Sequence, residues 1–269
     1  MPRQPSRTPS DLLAQADRPA APDLGWTSIP LPSRGVLYDG KMPGGVVQMR
    51  RMMAREANQL RQQGGSPLER IEAIVTACAK LPSGFHQKEL LLTDSFFMML
   101  TLRTLSFGPK YKFRFRCQFC SSTEQGEIDI AEDLDEKAAA DDLVEPFEIP
   151  LVDSACAVSV RFLRIEDQSA LAKYVKRTKM TTVDQDDPSY TYRLALSLVA
   201  RDGESFTDIL KKLDFVKSLT AADLLRLDQG IQEREPGVDL RIFPDCKACG
   251  ATNEMGVPFD AEFFRPTRI

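Results

Sequence analysis

The chain has 269 residues, 42% of them hydrophobic and 28% charged, with a formal net charge of −4. That size can bury one large core or two ordinary ones, and that balance gives no general attraction to nucleic acid or anionic lipid. No apolar run approaches the ~20 residues a bilayer crossing needs, so no membrane contact is expected, and the start lacks the apolar core of a secretion signal.

The opening MPRQPSRTPSDLLAQADRPAAP is rich in Pro, Arg, Ser and Ala and offers nothing to bury, which predicts an extended, flexible arm over 1–28. Gly35, Gly40 and the Pro43-Gly44-Gly45 run then punctuate short apolar pieces, as in a hairpin ending in the strand VVQMR. MAREANQLRQQ reads as a short helix. SPLERIEAIVTACAKL has the clearest helix start: Ser66 as cap, Pro67 in the first position and Glu69 completing a capping box. Leu68, Ile71, Ile74, Val75, Cys78 and Leu81 fall on one face of it. A second helix from Thr93 is apolar nearly all round, hence central, and Gly108 stops it.

YKFRFR alternates large apolar and basic residues, as a half-buried strand does, and runs into a Cys-x-x-Cys pair; GEIDI is the returning strand. The acidic AEDLDEKAAADDLVE reads as a linker or an exposed helix. FEIPL and AVSVRFL look like a strand pair, followed by helices in EDQSALAKYVKRTK, PSYTYRLALSLVA, SFTDILKKLDFVKSL and TAADLLRLDQGIQER. Ser205 with Asp208, and Thr220 with Asp223, resemble caps on the last two. The strand VDLRIF, a second Cys-x-x-Cys pair and a strand near MGVPF close the chain. The expected class is α+β: mainly helical domains, a split four-cysteine zinc ribbon and an extended N-terminal arm. The expected divisions are the arm at 1–28, an α+β domain with the first knuckle at 29–135, a largely helical middle region at 136–237, and the second knuckle with a C-terminal strand and tail at 238–269.

Six cysteines in a chain with no export signal are not a disulfide framework. Cys78 and Cys156 sit in apolar contexts and read as small buried hydrophobes. Cys117 and Cys120, and Cys246 and Cys249, each follow a β-like run and precede a weaker one, which is how a zinc ribbon offers two knuckles to one tetrahedral ion. Gly250 suits the backbone turn after the second knuckle, whereas Ser121 holds that place in the first and fits it less well. Closing a loop of about 125 residues costs roughly 4 kcal/mol, while structural zinc binding is worth on the order of 10–16 kcal/mol, so the separation does not forbid the site. Two redox pairs are the weaker reading, since neither opens a helix after a buried strand; four unrelated thiols sharing a spacing are weaker still. Four sulfur ligands leave no open position, so the one ion would be structural.

Catalytic patterns are missing. The single histidine, His86, lies in a polar loop, and Asp184, Asp186 and Asp187 read as a solvated turn without the glycine and distal glutamate of a calcium loop. Two basic clusters, Arg50, Arg51, Arg55 and Arg61, and Lys173, Lys176, Arg177 and Lys179, keep a nucleic-acid-binding zinc ribbon as the rival reading, against which stands the acidic total.

LPSRGVLYDG followed by VVQMRRMMAREANQL, then SFGPKYKFRFRCQFC and a closing CKACGATNEMGVPFDAEFFRP, resemble the baseplate hub assembly proteins of T-even-type contractile-tailed phages. The most specific features are Leu31-Pro32-Ser33 with Gly35 and Tyr38, Ser106-Phe107-Gly108, the paired cysteines and Phe263-Phe264-Arg265-Pro266. The resemblance implies a structural virion protein of the inner baseplate or hub, assembled in the host bacterial cytoplasm. Its partners would be other baseplate and tail proteins, with no substrate turned over. A transient tail assembly factor is a third reading.

Overall fold

The computed structural model describes residues 25–60, 67–181, 188–259 and 263–264. The predicted arm lies almost wholly outside these residues, as do the Ser66 cap and the Asp184–Asp187 turn.

Strands β1 (Thr27–Pro30) and β2 (Val46–Met49) pair antiparallel, with Thr27 opposite Met49. Helices α1 (Ala54–Gln59) and α2 (Pro67–Ala77) follow, and β3 (Ala79–Lys80) adds to β2 as the third strand. Between β1 and β2 the backbone doubles back so tightly that a Cβ on Gly35 would sit 2.4 Å from the Met42 carbonyl oxygen, and one on Gly45 would sit 2.2 Å from the Arg34 carbonyl carbon. Both must be glycine. The folded loop docks on the start of α3 (Leu92–Phe107): the Ser33 N–H donates to Asp94 Oδ1 at 3.2 Å, the Tyr38 hydroxyl donates to the other Asp94 oxygen, and the Leu91 N–H donates to Tyr38 at 3.0 Å. Burial holds the Asp94 carboxyl above its ordinary range and also raises the Tyr38 phenol, so this is a closed polar contact inside the core. Helix α3 buries Met98, Met99, Leu100, Leu102 and Arg103, and it ends at Gly108 with φ +85°, as its sequence predicts.

Strands β4 (Lys110–Arg116) and β5 (Thr123–Asp129) form a long hairpin. The acidic stretch after it contains no helix. It carries the short strand β6 (Glu136–Lys137), then β7 (Phe147–Leu151) and β8 (Cys156–Val160). Helices α4 (Ile165–Thr181) and α5 (Pro188–Ser197) precede β9 (Leu198–Arg201) and β10 (Glu204–Ser205), and β7 to β10 make an antiparallel sheet in the order β10-β9-β8-β7. Helices α6 (Ile209–Ser218) and α7 (Ala221–Gln232) come next, with α7 against β7 so closely that a Cβ on Gly230 would lie 2.9 Å from Ile149 Cδ1. Thr220 caps α7 as expected, its hydroxyl accepting from the Asp223 N–H; α6 is capped by Asp208 itself, while Ser205 lies in β10. The described chain then passes through β11 (Gly237–Val238), β12 (Arg241–Ile242) and β13 (Met255–Gly256).

The mainly helical expectation is overturned. The described residues hold seven helices, 37% of the structure, beside 24% strand in five small sheets, and the fold is mixed α+β. Two segments account for much of the difference. Leu198-Val199-Ala200 continues the apolar pattern of α5 but turns into a strand, because β8 offers an open edge on which Ser159 faces Ala200 and Val160 faces Leu198. Segment 136–160 adds the short strand β6 to the strand pair expected at FEIPL and AVSVRFL, which forms as β7 and β8. Among the described residues no helix is long and apolar enough to cross a membrane.

Candidate metal centre

The inner face of β4 carries Tyr111, Phe113 and Phe115, all buried, with Tyr111 and Phe113 ring centroids 5.7 Å apart and Phe113 and Phe115 6.1 Å apart. Phe113 lies over Gly126 on β5, where a Cβ would come within 2.5 Å of the ring. Tyr111 stacks edge-on against Phe263 at 5.0 Å and donates its hydroxyl to the Pro258 carbonyl at 2.7 Å, binding the first hairpin to the end of the described chain. That packing brings the knuckle at the tip of β4–β5 beside the one between β12 and β13.

The two knuckles have the same backbone. In the first, the Ser121 N–H donates to the Cys117 carbonyl at 3.0 Å and the Cys117 N–H to the Ser122 carbonyl at 2.9 Å. In the second, Gly250 donates to Cys246 at 2.8 Å and Cys246 to Ala251 at 2.9 Å. The residue after each second cysteine is left-handed, Ser121 at φ +63° and Gly250 at φ +74°. Ser121 thus adopts the conformation that Gly250 adopts, at a steric cost glycine avoids.

Cys117, Cys120, Cys246 and Cys249 converge, their sulfurs all within 4.8 Å of one another. Cys117 and Cys249 are 3.7 Å apart and Cys120 and Cys246 3.6 Å. A disulfide would need about 2.05 Å. A tetrahedron of sulfurs about 2.3 Å from a central zinc has edges of about 3.8 Å, close to both of these separations. Cys117 and Cys246 are buried and Cys120 and Cys249 exposed, so one edge of the cluster faces solvent. The backbone N–H of Cys120, with that of Phe119, holds the Cys117 thiol down to about 6 against the desolvation that raises it. Cys120 is lowered by the Ser122 hydroxyl and backbone. On Cys249 the Ala251 N–H lowers the thiol, but the sulfurs of Cys120 and Cys246 outweigh it and push the thiol up to about 12. Four adjacent sulfurs resist ionising together, and a divalent cation removes that resistance.

Two supporting residues carried no signal when the cysteines were read alone. Asn253, 1% exposed, accepts the Gln118 N–H at 2.8 Å and donates back to the Pro244 and Ala251 carbonyls, locking one knuckle onto the other. Glu124 accepts from the Ser122 hydroxyl at 3.1 Å and lies 3.8 Å from the Cys246 sulfur. Each of the two lies seven residues after the first cysteine of its own knuckle and reaches across to the other, so aligning the knuckles would have picked out both.

The other candidates scatter. Cys78 and Cys156 are buried, and burial pushes the Cys78 thiol up to about 11. His86 is exposed. The first basic cluster does not form a patch: Arg50 is buried against Glu56 at 2.9 Å and Arg55 bonds the same carboxylate at 2.5 Å, while Arg61 lies outside the described residues. Lys173, Lys176 and Arg177 lie exposed on α4, and the side chain of Lys179 is outside the described set.

Neither a curated protein nor a solved structure matches the chain. A family of T4 bacteriophage base plate proteins matches residues 35–265. That span takes in the docked loop from Gly35, helix α3, both knuckles and all four cysteines. Since it covers most of the chain, the protein belongs to the T4-type bacteriophage base plate family, whose role is structural.

Proposed function

We propose that the chain is a building block of the inner baseplate or hub of a contractile tail, in which Cys117, Cys120, Cys246 and Cys249 hold one structural zinc. It acts through protein–protein contacts with other baseplate and tail proteins and turns over no substrate. The observation that carries this reading is the gathering of four sulfurs from two remote knuckles within 4.8 Å of one another, two of their separations close to a zinc tetrahedron's edge, in a chain of a baseplate family. An S4 donor set favours zinc or iron over hard cations, and full coordination by protein leaves no site for a catalytic water. A rigid block with fixed knuckles suits a part that other proteins must grip in one register. The burial of Arg50 removes the anchor of one basic cluster on which a nucleic-acid reading rested.

Elemental analysis of the purified chain tests the metal: one zinc per chain is expected, falling towards zero in Cys246→Ser. Iron in that stoichiometry, or no metal, overturns the zinc. Mass spectrometry of finished particles tests the role. Presence in tails supports a structural component, and absence from tails but presence on tail intermediates assigns the chain to assembly.

A further inference from the structure

Among the described residues β5 pairs with β4 alone, so its other edge is open. The Cys117 N–H donates to the Ser122 carbonyl and the Ile130 N–H to the Pro109 carbonyl, which fixes which positions of the hairpin bond each other. By that alternation the N–H and C=O groups of Thr123, Gln125 and Glu127 point away from β4. At Asp129 the edge closes, because its N–H donates to the Asp133 carboxylate at 2.8 Å and its carbonyl accepts the Asp133 N–H at 2.8 Å. From Thr123 to Glu127 the outward groups have no partner among the described residues, and the three residues that carry them are exposed. Beside this edge, between β5 and β12, lies a cleft of about 350 Å³ whose lining includes Glu127, Asp133, Asp135, Asp239, Arg241 and Phe243. Its charges do not cancel. Asp239 holds Arg241, whose Nε is 3.0 Å from each carboxylate oxygen, and Lys112 reaches Glu127 at 3.5 Å. Asp133 meets only a backbone N–H, and the exposed Asp135 side chain has no partner among the described residues. Phe243, 59% exposed, supplies an uncovered ring.

We propose that the edge from Thr123 to Glu127 takes up an extended segment of another tail protein as a third strand, with a Lys or Arg of that segment in the cleft beside Asp133 and Asp135 and an apolar residue covering Phe243. The row of main-chain groups selects a polypeptide. Another extended backbone answers both N–H and C=O at the spacing of a strand, whereas a phosphate accepts from the N–H groups and offers nothing to the carbonyls. The carboxylates select the charge of the segment and repel a nucleic-acid backbone as well. They do not serve an ion instead, since among the described residues only the four cysteines gather closely enough to hold one. The proposal rests on the structural role given above, in that the partner is sought among tail proteins, and makes no use of the zinc.

The test places the photoreactive residue benzoylphenylalanine at position 243, with position 144 as control, since Val144 is 65% exposed on another segment. Full-length chain is irradiated in infected cells and the cross-linked peptides are sequenced. The expected result is a position-243 product with one tail protein, at a peptide containing Lys or Arg. Two substitutions, added separately, should each lower its yield at least tenfold with the urea midpoint of the chain unchanged. Gln125→Pro deletes an outward N–H and no bond to β4, and Asp135→Lys reverses a charge in the cleft. Should Gln125→Pro lower the urea midpoint, Thr123→Pro, which deletes another outward N–H, is read in its place. A yield at 243 no greater than at 144, indifference to either the proline or the charge reversal, or attachment to nucleic acid or to a second copy of this chain overturns the proposal. Counting the chain in purified tails separates the two ideas. A chain present in tails without the 243 product defeats only the edge, and a 243 product with a basic segment of a protein outside the tail keeps the edge and defeats the role.

Discussion

Exchanging the residues that close the two knuckles should have opposite effects at equivalent positions. Ser121 is held at φ +63°, where an L-residue costs about 1–2 kcal/mol, and among the described residues no hydrogen bond from its hydroxyl offsets that. Ser121→Gly removes the strain but adds chain freedom to the unfolded state, about 0.4–1 kcal/mol the other way. The net expectation is a gain of about 0.5–1 kcal/mol. Gly250, at φ +74°, has no atom within 4 Å of where its Cβ would be, so Gly250→Ser meets no clash and carries only the backbone penalty. It should lose about 0.5–1 kcal/mol. Because 1.4 kcal/mol is a factor of ten, metal affinity should change by about two- to fivefold, upward for Ser121→Gly and downward for Gly250→Ser. Competition with a chromogenic chelator reads the affinity, and urea unfolding of the loaded protein reads the stability. Shifts of the same sign at both positions would refute the claim that the knuckles are equivalent and that φ alone distinguishes them.

Asn253→Ala leaves the Gln118 N–H without its acceptor and should cost about 1–3 kcal/mol, seen as a lower Tm with metal still bound. Gly126→Val drives a side chain into the Phe113 ring and should destabilise by about 1–3 kcal/mol in urea, whereas Gln125→Val, on the outer face, should be near neutral. Burial pushes the Glu235 carboxyl up to about 7, against the opposing pull of Arg193 and Lys137. A carboxyl raised on folding keeps its proton longer in the native state than in the unfolded one, so stability falls as pH climbs from the ordinary value of 4.5 to about 7 and is level above. Glu235→Gln should therefore stabilise by up to about 3 kcal/mol at pH 8 and by nothing at pH 4.5, measured as urea midpoints at the two pH values.

The cluster was legible because its chemistry is local. Two residues three apart on a turn must point the same way, and only a shared ion or redox role gives two such pairs a common purpose. Helix α3 was equally readable, since its apolar residues run round the whole cylinder and Gly108 ends it. The FEIPL–AVSVRFL pair was readable too, as β7 and β8, but β9 and β6 were not. Leu198-Val199-Ala200 has the composition of either element, and only the exposed edge of β8, set far away in sequence, selects a strand. The acidic stretch concealed β6 because two residues carry no period, and their pairing depends on β11 about a hundred positions later. The basic run at 50–55 misled for the opposite reason. Its charge pattern is visible, but the choice of Glu56 as an internal partner is made by burial.

That β6–β11 pair also changes what a bound ion has to do. Cys120 and Cys246 are 126 residues apart, and closing that loop from an open chain would cost roughly 4 kcal/mol. In the folded chain Glu136 faces Val238, the Asp239 N–H donates to the Asp135 carbonyl at 2.9 Å, and Gly237 packs so near Thr93 that a Cβ would lie 2.8 Å from its Cβ. The segment between the knuckles leaves and returns at one point. What remains for the ion to close is a ring of about 25 residues, roughly 1.4 kcal/mol cheaper by the logarithmic rule. An ion bound there would therefore fix how two hairpins face each other more than it would gather the chain. Chelation should then loosen the knuckles without unfolding the β7–β10 sheet. Amide exchange at Cys117, Gln118 and Cys246 should quicken while Val158 and Leu198, both buried in that sheet, stay protected. Loss of protection at Val158 and Leu198 on the same timescale would mean that the ion holds the whole fold, and that β6 and β11 do not close the loop unaided.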